Sequence, residues 1–293
     1  MQQIGNLDLR TFEEEEKQTN FYCNTFSHHL RTHHAAISIP HRHSFFLTVL
    51  FTQGSGIHEI DFERYEIRAG SLFMLNPGQT HHWELSEDIE GVIFFHSQIF
   101  FDVQFSQQSV YNFPFFYSVH NPSALFLEAD SYHKVKEQFL QLLHEYQKPD
   151  IQSAQKLASL LNCLYIDLSR LYLQGEKQLL LRVEQNSSYL RQLETLIEKN
   201  YKSEKSAAAY ADQLNISMRH LNRLTQKTLN KSTTQLITER VILEARRLLV
   251  YHSSSLAEIA YQLGYEDYAY FSRLFKKWTG QTPSEFSKIY QNA

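Results

Sequence analysis

A short duplication near the C-terminal end constrains this chain more than any other feature. Ala211-Asp212-Gln213-Leu214 returns as Ala260-Tyr261-Gln262-Leu263, and Leu221-Asn222-Arg223-Leu224 returns as Phe271-Ser272-Arg273-Leu274. The offsets are 49 and 50 residues, so the copies differ by one residue in a connecting turn. Each copy reads as a short helix, a turn of three to four residues and a second helix, which is the helix-turn-helix plan. Local signals agree. Tyr189 onward is helical throughout, with Leu190, Leu193, Leu196 and Ile197 on one stripe and Ser206–Leu214 as a short Ala-rich helix. Ser217 is placed to N-cap Met218–Leu229, Thr233–Val250 is a longer helix, and Ser255-Leu256-Ala257-Glu258 is a capping-box pattern. Gly280 and Pro283 separate Tyr268–Trp278 from a last short helix.

The second helix of each copy is basic and contains no acid. Arg219, Arg223 and Lys227 lie on one, and Arg273, Lys276 and Lys277 on the other. Helical spacing puts Arg219, Asn222, Arg223 and Gln226 on one face, and Tyr268, Ser272, Arg273 and Lys276 on the other copy's face. Arg bonds guanine bidentately, Asn bonds adenine, and Lys neutralises phosphate, so double-stranded DNA is the expected partner. A single charged face would mean only a solvated helix; two matched ones in a basic segment mean more. The net charge of −4 for 293 residues hides this. Residues 1–185 carry 13 Lys+Arg against 22 Asp+Glu, a net of −9, whereas residues 186–293 carry 15 against 10, a net of +5.

The front of the chain is chemically different: 18 of the 21 Phe and 13 of the 15 His precede residue 150. Phe45–Thr52, Ile57–Phe62, Glu66–Ile67, Ser71–Leu75, Trp83–Leu85 and Gly91–His96 read as short strands separated by turn signals, an antiparallel barrel or sandwich. Phe94–Phe116 holds eight Phe, too many for a solvated loop, and is expected to seal the open side of the sheet. Two amphipathic helices follow, one through Tyr132, Val135, Phe139, Leu142, Leu143 and Tyr146 and one from Leu157 to Tyr172; they either form a dimer seam or pack on the sheet. Glu176–Ser188 is polar and reads as a connector. The longest apolar run, Phe45–Phe51, is seven residues with Thr48 included, far short of a membrane span of ~20. Glu13–Glu16 near the N-terminus does not suit a secretory signal, and Cys23 and Cys163 are isolated thiols, so a cytoplasmic protein is expected.

Residues 189–293 resemble the DNA-binding domain of AraC-type bacterial transcription regulators. The resemblance rests on Ala211…Leu214-x-x-Ser217…Leu221-x-Arg223, Ala245-Arg246-Arg247-Leu248-Leu249, Glu258-Ile259-Ala260-x-x-Leu263-Gly264-Tyr265, Tyr270 to Lys277, and Gly280-Gln281-Thr282-Pro283-Ser284-Glu285-Phe286. It implies two helix-turn-helix units joined by the long central helix, reading successive major-groove segments roughly one turn (~34 Å) apart. Base contacts would then carry over to Arg219, Asn222, Arg223, Tyr268, Ala269, Ser272 and Arg273, and backbone contacts to Lys227 and Lys276. Thr225-Gln226 departs from the Phe-Lys pair common in that family.

The strand region is similar to a cupin barrel, the sensor of many such regulators. His41-Arg42-His43 resembles one cupin element, and Gly70…Pro77-Gly78-x-x-His81 resembles the other with its Pro one place late. The implied small-molecule effector pocket has His41, His43 and His81 as polar points and Phe45, Phe73 and Trp83 as walls; His28, His29, His33, His34 and His82 are expected on the surface. Metal-dependent cupins carry a Glu where this chain has Leu47, so no metal is expected. No cofactor is expected either: the chain lacks a P-loop, a dinucleotide fingerprint, a nucleophile elbow and HExxH. The resulting expectation is an all-β cupin-like barrel (residues 1–121), a helical linker or dimerisation segment (122–185) and an all-α double helix-turn-helix domain (186–293). Such a protein is a transcription regulator controlled by a small-molecule effector, a homodimer, with RNA polymerase as a further partner. The competing readings are a metal-dependent cupin enzyme with a DNA-binding appendage and a regulator whose barrel only dimerises.

Overall fold

The run Phe45–Phe51 shows no polar alternation because both faces of its strand are buried. In the computed structural model, which describes residues 5–9, 12, 20–33, 39–105, 108–116, 118, 121–173, 177–251 and 254–291, this run supplies the central strand of a five-stranded sheet. The strands are β1 (Gly5–Leu7), β2 (Phe21–Thr25), β3 (His41–His43), β4 (Phe46–Gln53), β5 (Gly56–Ile60), β6 (Glu63–Ile67), β7 (Ser71–Leu75), β8 (Thr80–Leu85), β9 (Glu90–His96) and β10 (Ala124–Phe126). One sheet runs β10-β7-β4-β9-β2 and the other β1-β3-β8-β5-β6. All pairings are antiparallel except β1 with β3. No ladder joins the two sheets among the described residues, so the expected barrel is a two-sheet sandwich whose walls meet through side chains. The β5–β6 hairpin turns on Asp61 and Phe62, both at positive φ (49° and 71°), the arrangement that matches the twist of a two-residue hairpin.

Along β4 the side chains divide strictly by period two. Phe45, Leu47, Val49 and Phe51 enter the interior between the sheets, with Phe73, Ile93, Phe95 and Trp83. Phe46 and Leu50 face outward, with Phe21, Leu72, Met74, Val92 and Phe94. Helix α1 (Phe26–His33) buries Phe26 in the interior, edge-on to Phe51 and Trp83. The outer face is covered by helices α2 (Gln98–Gln104), α3 (Ala129–Gln147) and α4 (Ser153–Tyr172), together with Phe113, Phe115 and Phe116. The dense aromatic stretch therefore seals the outside of the sheet. The amphipathic helices pack on the sheet: Val135, Phe139, Leu142, Leu161, Leu164 and Tyr165 all join that outer core. Inside it, the Tyr165 hydroxyl lies 2.7 Å from His96 Nε2 and 3.4 Å from Thr48 Oγ1, and burial lowers the His96 pKa to about 4, leaving it neutral.

The expected connector is helical. Helix α5 spans Lys177–Asn200, a segment with neither Gly nor Pro, so nothing in its backbone chemistry stops a helix there. The chain forms two compact units, Ile4–Glu184 and Gln185–Ala293, and the division falls within α5. The second unit continues with α6 (Ala207–Gln213), α7 (Met218–Leu229), α8 (Thr233–Tyr251), α9 (Leu256–Gln262), α10 (Tyr268–Thr279) and α11 (Pro283–Gln291). Helix α8 is its spine, burying Leu236, Ile237, Val241, Ala245 and Leu249. Arg240 on α8 stacks 4.0 Å above the Tyr201 ring and bonds Glu198 at 2.5 and 2.9 Å and Glu244 at 3.1 Å, clamping α5 to α8.

Candidate DNA interface and effector site

The duplication in sequence is a duplication of hydrogen bonds. In the first copy the turn after α6 carries Asn215 at φ 54°, and the Ile216 amide donates to the Ala211 carbonyl at 3.1 Å. In the second, Gly264 stands at φ 81° and the Tyr265 amide donates to the Ala260 carbonyl at 3.0 Å. Both closures follow the 49-residue offset. The extra residue, Glu266, comes next, and from there the 50-residue offset holds. Ser217 Oγ accepts from the His220 amide to cap α7, and Asp267 Oδ1 accepts from the Ala269 amide at 2.7 Å to cap α10. Both helices end on a residue in the left-handed region, Asn230 (φ 55°) and Gly280 (φ 80°). The Ser255–Glu258 capping box is formed in full.

Each recognition helix buries one face and exposes the other. Leu221, Leu224 and Thr225 of α7 and Phe271 and Phe275 of α10 are buried. Arg219, Arg223 and Lys227 on α7 and Ala269, Arg273 and Lys276 on α10 are exposed, while Tyr268 and Ser272 are half-buried. Asn222, expected at the bases, is half-buried and has a partner inside the protein. Its Oδ1 accepts the Thr233 amide at 3.0 Å and so caps the start of α8; bidentate pairing with adenine needs that same oxygen. Thr225, where the family pattern has Phe, is fully buried with its Oγ1 3.5 Å from Thr233 Oγ1, so the departure also serves the α7–α8 joint.

In the first unit, all six expected pocket residues are buried in the interior: His41, His43, Phe45, Phe73, His81 and Trp83. Alternation along β3 turns His41 and His43 inward on either side of Arg42, and pairing with β8 sets His41 opposite His81. His43 Nε2 and His81 Nε2 are 2.7 Å apart, and the Nδ1/Nε2 atoms that His41, His43 and His81 can offer lie within 4.8 Å of one another. Phe45 lies 4.5 Å from the His43 ring and Trp83 4.6 Å from the His81 ring. Phe73 joins through a residue missed in the sequence, His58 of β5, which is wholly buried. His58 Nε2 is 3.0 Å from His81 Nδ1, and its ring is 4.5 Å from Phe73. Burial drives the His58 pKa well below its ordinary value and lowers that of His41, so both imidazoles are neutral at pH 7. Leu47 points into the same core and brings no charge to it.

Residues 26–211 match the AraC-like ligand binding domain family, and residues 210–289 match a helix-turn-helix domain family. The chain belongs to the AraC family of transcription regulators. It is a DNA-binding regulator with a ligand-binding N-terminal domain, not an enzyme. Among AraC-family relatives, the HTH-type transcriptional activator RhaS of Escherichia coli is 23% identical over 252 residues, covering 84% of this chain and 86% of its own. A DNA-binding transcriptional dual regulator from Escherichia coli K-12 is 28% identical over 35% of this chain and 92% of that chain, with a TM-score of 0.33. Unsaturated fatty acid bound ToxT from Vibrio cholerae is 16% identical and covers 96% of this chain and 99% of its own, with a TM-score of 0.40.

Within this AraC-family frame, two histidines fall outside the sequence reading. His29 is buried rather than on the surface: its Nδ1 is 3.0 Å from the Tyr22 hydroxyl and its ring packs on Phe12 and Phe95. His28 is exposed and His82 half-buried; the side chains of His33 and His34 lie outside the described residues. A signal for His58 was present, since it shares strand parity with Ile60, but Ile57 at the opposite parity obscured it. Among the described residues no helix is long and apolar enough to cross a membrane.

Proposed function

We propose that this AraC-family regulator reads promoter DNA with Arg219, Arg223 and Lys227 of α7 and Tyr268, Ala269, Ser272, Arg273 and Lys276 of α10, and takes a small-molecule effector in the interior of its N-terminal sandwich. The observation that carries the reading is the repeated capped turn that ends in an acid-free helix with its cations exposed. Arg223 and Arg273 stand at equivalent places, where bidentate bonding to guanine gives base preference; Lys227 and Lys276 supply phosphate contacts. The interior suits an effector because it is apolar, with a few convergent imidazoles from β3, β5 and β8. The effector acts by favouring one of two arrangements of the protein, to the extent that it binds one better than the other. The protein works in the cytoplasm as a homodimer built from residues 1–121, 122–185 and 186–293 in sensing, linking and DNA-binding roles. Similarity to the HTH-type transcriptional activator RhaS supports activation of transcription, with RNA polymerase as a further partner in this reading.

Footprinting of the full chain on the region upstream of its own coding sequence tests the DNA reading. A protected pair of major-groove segments one helical turn apart is expected, and no protection at physiological salt would defeat it. A thermal-shift screen with sugars and aromatic acids separates a sensing domain from one that only dimerises, since a true effector raises the melting temperature by mass action.

A further inference from the structure

The geometry points to His220 as a positioning residue for base reading by α7: its Nδ1 holds the Arg223 guanidinium, and Tyr189 of α5 braces its ring. The inference rests on the reading above, in which Arg223 meets a base. Arg223 Nη2 lies 3.2 Å from His220 Nδ1. A guanidinium only donates, so the imidazole nitrogen accepts and the ring carries its hydrogen on Nε2. The direction of that lone pair is fixed twice over. The His220 amide donates to Ser217 Oγ at 3.2 Å, which pins the backbone of the first turn of α7. The Tyr189 ring stands edge-on to the imidazole, with centroids 6.3 Å apart and planes at 64°.

His220 is half-buried, whereas Arg223 is exposed. An exposed arginine samples many rotamers and gives up that freedom when it pairs with guanine. Arg219, four residues earlier on the same face, also repels it. A neutral acceptor one turn before Arg223 offsets both effects by holding the guanidinium before DNA arrives. The hold does not compete with reading, because a guanidinium has five N–H groups and guanine O6 and N7 take two. The second copy lacks this device. By the 50-residue offset Tyr270 stands in place of His220 and Arg273 in place of Arg223. Tyr270 packs towards Tyr265, 5.9 Å between centroids, and Arg273 makes no hydrogen bond or ion pair among the described residues.

The test is selection of the full chain on a randomised operator pool, with His220→Phe, His220→Asn, Tyr189→Ala, Arg223→Ala and the double variant His220→Phe/Arg223→Ala. Phe keeps a ring against Tyr189 and removes the acceptor; Asn restores an acceptor near the place of Nδ1. Arg223→Ala should relax preference at one position. His220→Phe should lower discrimination at that same position roughly 2–12-fold, with Asn retaining it and the double variant matching Arg223→Ala alone. Preference at all other positions should survive in every variant, which also shows that each one folds. Undiminished discrimination in His220→Phe, failure of Asn to restore it, or a His220→Phe effect that persists without Arg223 overturns the positioning role. Unchanged discrimination in Tyr189→Ala overturns the bracing by Tyr189. If Arg223→Ala itself alters no position, the base-reading assignment falls and this inference with it; if only the His220 variants are silent, that assignment stands and this inference alone falls.

Discussion

The two helix-turn-helix copies close their turns with the same backbone bonds yet are anchored to different neighbours. The first is tied forward, to α8, through Asn222 and Thr225 against Thr233. The second is tied back to the residues that follow α5. A Cβ on Gly264 would sit on the Lys202 carbonyl oxygen, and Lys205 lies 5.2 Å over the Tyr265 ring while its ammonium donates to the carbonyls of Tyr201 and Lys202. Positions related by the repeat are therefore equivalent in backbone and unequal in duty. Asn222 and Ser272 correspond by the 50-residue offset, but only Asn222 has its side-chain acceptor committed to a helix start.

The comparison breaks first at the turns. Gly264→Ala should cost roughly 3 kcal/mol, because it combines backbone strain with a collision against fixed backbone, whereas Asn215→Ala should cost about 1 kcal/mol from strain alone. Urea unfolding followed by circular dichroism measures both, and equal losses would show that the second copy is not braced on Lys202. Arg223→Ala and Arg273→Ala should each weaken binding to the cognate site by ~1–3 kcal/mol and relax preference at one base. Selection from a randomised operator pool reads this directly; a loss confined to one of them would mean that only one copy reads bases. Asn222→Ala should lower stability by about 1 kcal/mol through loss of a helix cap and leave base preference unchanged. A shifted preference in the same pool would return Asn222 to the reading face. Smallest is Lys276→Ala, which should weaken all sequences alike and reduce the salt slope of binding by about 0.9. Titration across salt concentrations gives that slope, and a sequence-dependent change would contradict a phosphate role.

Much of the C-terminal unit was legible because its signals are local. Ser217, the Ser255–Glu258 box, Gly280 and Pro283 act within a turn or two of themselves, and each does in the structure what its position implied. The role of Asn222 was hidden because its partner, Thr233, lies beyond the end of its own helix. The N-terminal unit was less legible because its order comes from pairings distant in sequence. β2 pairs with β9, and His58 meets His81 across the β5–β8 ladder. His29 read as surface because a histidine among polar neighbours looks solvated until Tyr22 and Phe95 enclose it. The three expected pocket histidines come together in the structure because alternation within β3 and a single long-range pairing are enough to do it.

The strict alternation along β4 makes that strand a party wall between two rooms. On one side Leu47 and Val49 share the space in which the histidines lie; on the other Phe46 and Leu50 press on the core of α3 and α4, and Thr48 reaches the Tyr165 hydroxyl. Close-packed interiors have no slack to absorb a displacement, so a guest that pushes the wall from the histidine side is felt at once on the helical side. A small molecule taken between the sheets, as proposed above, would thus be reported at a surface that it never touches.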